Sequence, residues 1–110
     1  MMQSIQVLAV ALILSMTGCN SVNQQEVTST QHQVVISGFE FIPAEIEVQL
    51  GDTITWVNKD VVPHNVIDIE SLQVVTPDLM QNEKFSYVVR RAMSYKCGFH
   101  PSMKGQVIVR

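Results

Sequence analysis

The chain has 110 residues, which is enough for one domain and not for two. A net charge of −3, with only 15% of residues charged, offers no basic face and argues against nucleic acid as a partner. Two cysteines invite a disulfide if the chain is secreted, and only three histidines accompany them, so the way these residues are spent matters.

The first charged residue is Glu26, and the charge-free start holds the apolar run Val7–Leu14, "VLAVALIL". A bilayer span needs about 20 apolar residues, so this run fits the apolar segment of a secretory signal better. The stretch Met16–Thr17–Gly18–Cys19 is similar to the lipobox of bacterial lipoproteins, whose cysteine is lipidated and becomes the mature N-terminus. Residues 1–18 are therefore expected to be a signal peptide of the lipoprotein type, with Cys19 the lipid attachment site. An ordinary signal peptide cut near Gly18 is the alternative. Either way the chain is expected to be exported to the periplasm or cell surface, and in the lipoprotein case the lipid on Cys19 is expected to be its only membrane contact. A lipidated Cys19 cannot bridge to Cys97, and a thiol left free in an oxidising compartment needs protection that a metal can supply.

Residues 19–32, polar and without hydrophobic periodicity, are expected to form a tether in which His32 is solvated. The folded domain is expected over residues 33–110. "VVISGFEF" is apolar and β-branched, and "EIEVQL" puts Ile46, Val48 and Leu50 on one face with Glu45, Glu47 and Gln49 on the other. A turn at Gly51–Asp52 leads into "TITWV", and "HNVIDI", "KFSYVV", "SYKC" and "QVIV" follow as short strands between Pro, Gly, Asn and Asp. With no helical stripe, the predicted fold is all-β, a Greek-key β-sandwich, with Trp56, Phe39, Phe41, Phe85 and Tyr87 supplying much of the core.

The stretch "YKCGFHPSMKG" places Cys97, His100 and Met103 three residues apart each time. Pro101 lacks an amide hydrogen and pushes His100 away from helical angles, so the stretch is a loop after the strand "SYKC". Gly98 and Gly105 allow it to curl tightly enough for several donors to meet one metal. His64, in "DVVPHNV", is the candidate fourth donor. Two imidazoles, a thiolate and a thioether differ from the Cys and His sets of structural zinc and match the blue-copper arrangement.

At these residues the chain resembles the cupredoxins of the plastocyanin, amicyanin and pseudoazurin group, over about residues 33–110. "FIPAEIEVQLGDTITWVNKD" and "VPHNV" are similar to the N-terminal half of such domains and their first histidine site, and "YKCGFHPSM-KGQVIV" is most similar to the short ligand loop of amicyanin. The resemblance implies one copper ion (Cu+/Cu2+) held by His64, Cys97, His100 and Met103, with Asn65 fixing the ligand loop from behind. It implies an electron carrier working with a redox protein such as a c-type cytochrome, a dehydrogenase or an oxidase. Copper binding and delivery without redox turnover is the alternative. An enzyme of the same fold would need further copper centres, and only His32 is left to build one. The apolar residues Val62, Pro63, Phe99 and Pro101, flanking two of the ligands, are expected to form the docking rim. The scattered acids Asp60, Asp68 and Glu70 are expected to be available to steer a basic partner.

Overall fold

The structure is a computed structural model that describes residues 28–110, so the leader, Cys19 and most of the tether lie outside the described residues. Eight strands follow in order: β1 (Gln31–Ser37), β2 (Glu40–Ile42), β3 (Glu45–Val48), β4 (Thr53–Asn58), β5 (Ile67–Asp68), β6 (Lys84–Val88), β7 (Met93–Lys96) and β8 (Lys104–Val109). They form two four-stranded sheets, ordered β2-β1-β4-β6 and β3-β8-β7-β5. The pairs β1–β4 and β3–β8 are parallel and the rest antiparallel, so the chain crosses between sheets as a Greek-key sandwich requires. No helix among the described residues is long and apolar enough to cross a membrane.

Alternation builds the core. Val34 and Ile36 of β1, Ile46 and Val48 of β3, Ile54 and Trp56 of β4, and Met93 and Tyr95 of β7 point inward and are buried. Tyr95 is the hub, with the ring of Phe41 at 4.8 Å and that of Trp56 at 5.5 Å, both edge-on.

Four expectations are corrected here. "VVISGFEF" is not one strand: Gly38 and Phe39 both have positive φ, 61° and 60°, and turn β1 back onto β2. Phe39 sits on that turn, 49% exposed, and so leaves the core it was expected to fill. Leu50 continues the alternation of Ile46 and Val48 in sequence but is 59% exposed, because the chain turns at Leu50–Gly51 before it can point inward. Of "HNVIDI", only Ile67–Asp68 forms a strand, and His64 makes a single bridge to Leu79.

β1 begins at Gln31, two residues ahead of the expected domain boundary at 33. The cause is Asp52, which caps this end of the sandwich. Its carboxylate accepts from the amides of Thr30 and Gln49 and lies 2.9 Å from Nε2 of His32. The Gln49 amide, then His32 and the Thr30 amide, hold the Asp52 carboxyl down at about 2 against the opposing effect of burial. A carboxyl depressed on folding contributes stability that is complete above its unfolded value, near 4, and is lost as pH falls through its folded value. The melting temperature is therefore expected to drop between about pH 4 and pH 2, and Asp52→Asn to lower it at neutral pH while flattening that acid limb. Thermal unfolding followed by circular dichroism across this range checks both, and an equally steep limb in the variant would contradict the assignment.

Candidate metal centre

At the opposite end of the sandwich, three connections converge: the β1–β2 turn, the β4–β5 loop and the β7–β8 loop. Cys97 follows the last residue of β7 and is fully buried. Its amide donates to the carbonyl of Met103 at 3.0 Å, and the Met103 amide donates to the carbonyl of His100 at 2.8 Å. These two bonds curl the loop, so that Cys97, His100 and Met103 are drawn together as their spacing suggested. Met103 is 4% exposed and packs in the core cluster.

His64 lies on the β4–β5 connection, which crosses from one sheet to the other. Its amide donates to the carbonyl of Leu79 and its carbonyl accepts from the Leu79 amide, at 3.1 and 2.7 Å. The imidazole is completely buried. Nε2 lies 2.8 Å from Oδ2 of Asp60. A carboxylate only accepts, so Nε2 carries the hydrogen and the lone pair stands on Nδ1. That Nδ1 lies 3.6 Å from Sγ of Cys97, and Nδ1 of His100 lies 3.9 Å from the same sulfur. The donor atoms of His64, Cys97 and His100 all fall within 4.8 Å of one another. A thiol and two imidazole nitrogens facing one point can hold a soft or borderline metal ion, and Met103 is buried in the same loop.

Asn65 holds the loop from behind. Its Oδ1 accepts from the Gly98 amide at 2.6 Å, while its Nδ2 donates to Asp78 at 3.1 Å. A Cβ at position 98 would come within 2.5 Å of Ile67 Cδ1 and 2.9 Å of that Asn65 oxygen, so glycine is needed for this approach. Of the four rim residues, Val62 and Pro63 are half-buried, whereas Phe99 and Pro101 are exposed.

Three residues lie near the site that the sequence did not assign to it. Asn58, fully buried at the end of β4, donates to the carbonyls of Val62 and Leu79, both at 2.8 Å, and its Oδ1 accepts from the Asp60 amide. It thereby ties down the segment that carries His64 and the Leu79 segment that pairs with it. Phe39 presents its ring edge-on to His64 at 5.4 Å and to His100 at 4.9 Å. Asp60, expected to be free to steer a partner, accepts from the amides of Gly38 and Phe39 as well as from His64. Burial raises its carboxyl, and the Phe39 and Gly38 amides together with His64 more than offset this, leaving it below the ordinary carboxylate value. Asp68 is likewise occupied, 1% exposed and paired with Arg91, so of the three scattered acids only Glu70 is exposed. The one sequence signal for Asp60 was its place four residues before His64.

Fold and site together define a small β-sandwich metalloprotein with one thiolate–imidazole centre among the described residues. The model of the cupredoxin-like domain family matches residues 6–109, and the chain belongs to that family. It is similar to amicyanin-alpha of Methylorubrum extorquens, with 32% identity over 92 residues that cover 77% of this chain and 76% of that protein. Amicyanin of Paracoccus denitrificans is 30% identical over 82 residues, covering 69% of this chain, and the chain spans 63% of that relative's length. Among solved structures, a copper-containing nitrite reductase from Thermus scotoductus superposes with a TM-score of 0.66 at 28% identity, over 73% of this chain and 22% of the reductase. The donor set fits the family's metal, and the cofactor is one copper ion.

Proposed function

We propose that the chain is a blue copper electron-transfer protein in which His64, Cys97, His100 and Met103 hold the copper and Asn65 fixes the ligand loop. The observation that carries this reading is the approach of Cys97 Sγ to Nδ1 of both histidines, at 3.6 and 3.9 Å. Copper, when bound, alternates between Cu(I) and Cu(II) and so carries one electron. The chain's own residues supply the rest. The sulfur suits the reduced ion and the imidazoles suit both states. The bonds from Leu79, Asp60 and Asn65 keep the cage from relaxing toward either state, which lowers the reorganisation each transfer requires. An enzyme of this fold would need further copper centres, and of the three histidines in the sequence only His32 stands outside the proposed ligand set. Copper delivery without redox turnover is disfavoured by the burial of three of the four donors.

Electrons are proposed to pass through the apolar rim of Val62, Pro63, Phe99 and Pro101, to or from a redox protein such as a c-type cytochrome, a dehydrogenase or an oxidase. Phe99, 48% exposed next to His100, supports this, and Val61, 78% exposed, extends the rim. A small uncharged patch gives the weak docking that turnover needs. Phe99→Asp is expected to leave the visible spectrum unchanged and to slow electron exchange with a c-type cytochrome by about tenfold or more. Exchange at the wild-type rate would move the docking face elsewhere, and a wild-type chain that yields copper to an acceptor but exchanges no electrons would favour delivery. The leader is proposed to direct export with acylation at Cys19, which mass analysis of the mature N-terminus tests.

A further inference from the structure

Phe39 is held where neither its backbone nor its burial would put it. Its φ of 60° lies in the left-handed region that side chains with a Cβ disfavour, and the residue is half exposed. Two sets of contacts hold it there. The ring meets His64 and His100 edge-on, and the backbone of the turn is bonded to a single carboxylate, with the Gly38 amide on Oδ1 of Asp60 at 2.8 Å and the Phe39 amide on Oδ2 at 3.0 Å. Oδ2 is also the atom that accepts from Nε2 of His64. Asp60 itself is set by its amide, which donates to the buried Asn58. One side chain therefore joins the imidazole of His64 to the turn whose ring covers His100, and no contact between Asp60 and His100 is needed for the two to be linked.

We propose that Asp60 is a positioning residue for this site: by tying His64 to the Gly38–Phe39 turn, it holds the ring of Phe39 against both imidazoles and fixes the orientation of His100. This deepens the reading above, since His100 is the partly exposed donor at the rim. A carboxylate that accepts from a metal-binding histidine fixes the tautomer and ring orientation of that histidine. Here the same carboxylate also orders an aromatic ring against the second one. His64 is locked by the Leu79 bridge and total burial, whereas His100 sits in a loop with less to fix its ring, so the link matters most at His100.

The test reads the imidazole ring protons of His64 and His100 by NMR in the intact chain without metal, and again with Cu(I). Phe39→Leu removes the ring current and is expected to displace the signals of both histidines. Asp60→Asn keeps the size of the side chain but loses one acceptor. It is expected to displace the His100 signals as well as those of His64, to speed solvent exchange of the Gly38 and Phe39 amides, and to add nothing at His100 in a chain that already carries Phe39→Leu. With copper bound, the single variants are expected to shift the reduction potential in the same direction and the double variant no further than the larger of them. His100 signals left at their wild-type values by Asp60→Asn would overturn the proposal, whatever happens at His64. Should that variant not fold, Asp60→Glu is read in the same way: displaced His100 signals support the link and unmoved ones overturn it. Because the first readout needs no metal, a chain that binds no copper would refute the proposed function without touching this link.

Discussion

Cys97→Ser is expected to give a folded chain that takes up Cu(II) without the intense blue colour. The colour requires charge transfer from a thiolate, and Cys97 is the one thiol among the described residues that faces the two imidazole nitrogens. An oxygen donor is harder, suits Cu(I) poorly and has no comparable transition, so the visible band should vanish rather than shift. The fold should survive, because a serine in this wholly buried position costs about 1–3 kcal/mol and leaves both sheets paired. Circular dichroism separates the two effects: a native spectrum with the colour lost is the expected outcome, while an equally blue serine variant would remove Cys97 from the site.

Gly105→Ala is expected to destabilise the protein more than any surface change. Gly105 lies in β8 directly opposite Tyr95 of β7. A Cβ there would run into the Tyr95 ring at Cζ, Oη and Cε2. The ring cannot yield, since Tyr95 is fully buried between Phe41 and Trp56, deep enough that burial pushes its hydroxyl up to about 12. Overpacking of this kind costs about 1–3 kcal/mol and can cost more. At about 4–8 °C per kcal/mol for a domain of this size, the melting temperature should fall by roughly 5–20 °C. The change also lies close to the metal-binding end, because Tyr95 is two residues before Cys97. A melting temperature within a degree or so of wild type would show that β8 shifts freely, against the register described.

What was legible in the sequence was local. Alternation in "EIEVQL" and "TITWV" marked strands because a sheet with one wet face imposes that period, and Cys97 and His100 were visible as candidate donors because one short loop carries both, with Met103 three residues further on. His64 was legible from its proline-flanked position and the chemistry of the other three, and the structure brings its Nδ1 to Cys97 across 33 residues of chain. What stayed hidden depends on contacts between distant segments. Phe39 reads as a core aromatic until the positive φ at Gly38 and Phe39 turns it out onto the two histidines. Asp60 reads as a surface acid, since nothing local shows that the amides of residues 38 and 39 will point at it. Leu50 fits the alternation and fails only because the chain turns at that residue. His32 reads as solvated because its partner Asp52 is 20 residues away.

The visible spectrum of the chain titrated with Cu(II) tests the central claim most directly. One equivalent of copper is predicted to saturate the site and to produce an intense blue band, bleached by a reductant and restored on oxidation. A colourless Cu(II) complex of the intact, folded chain would contradict it.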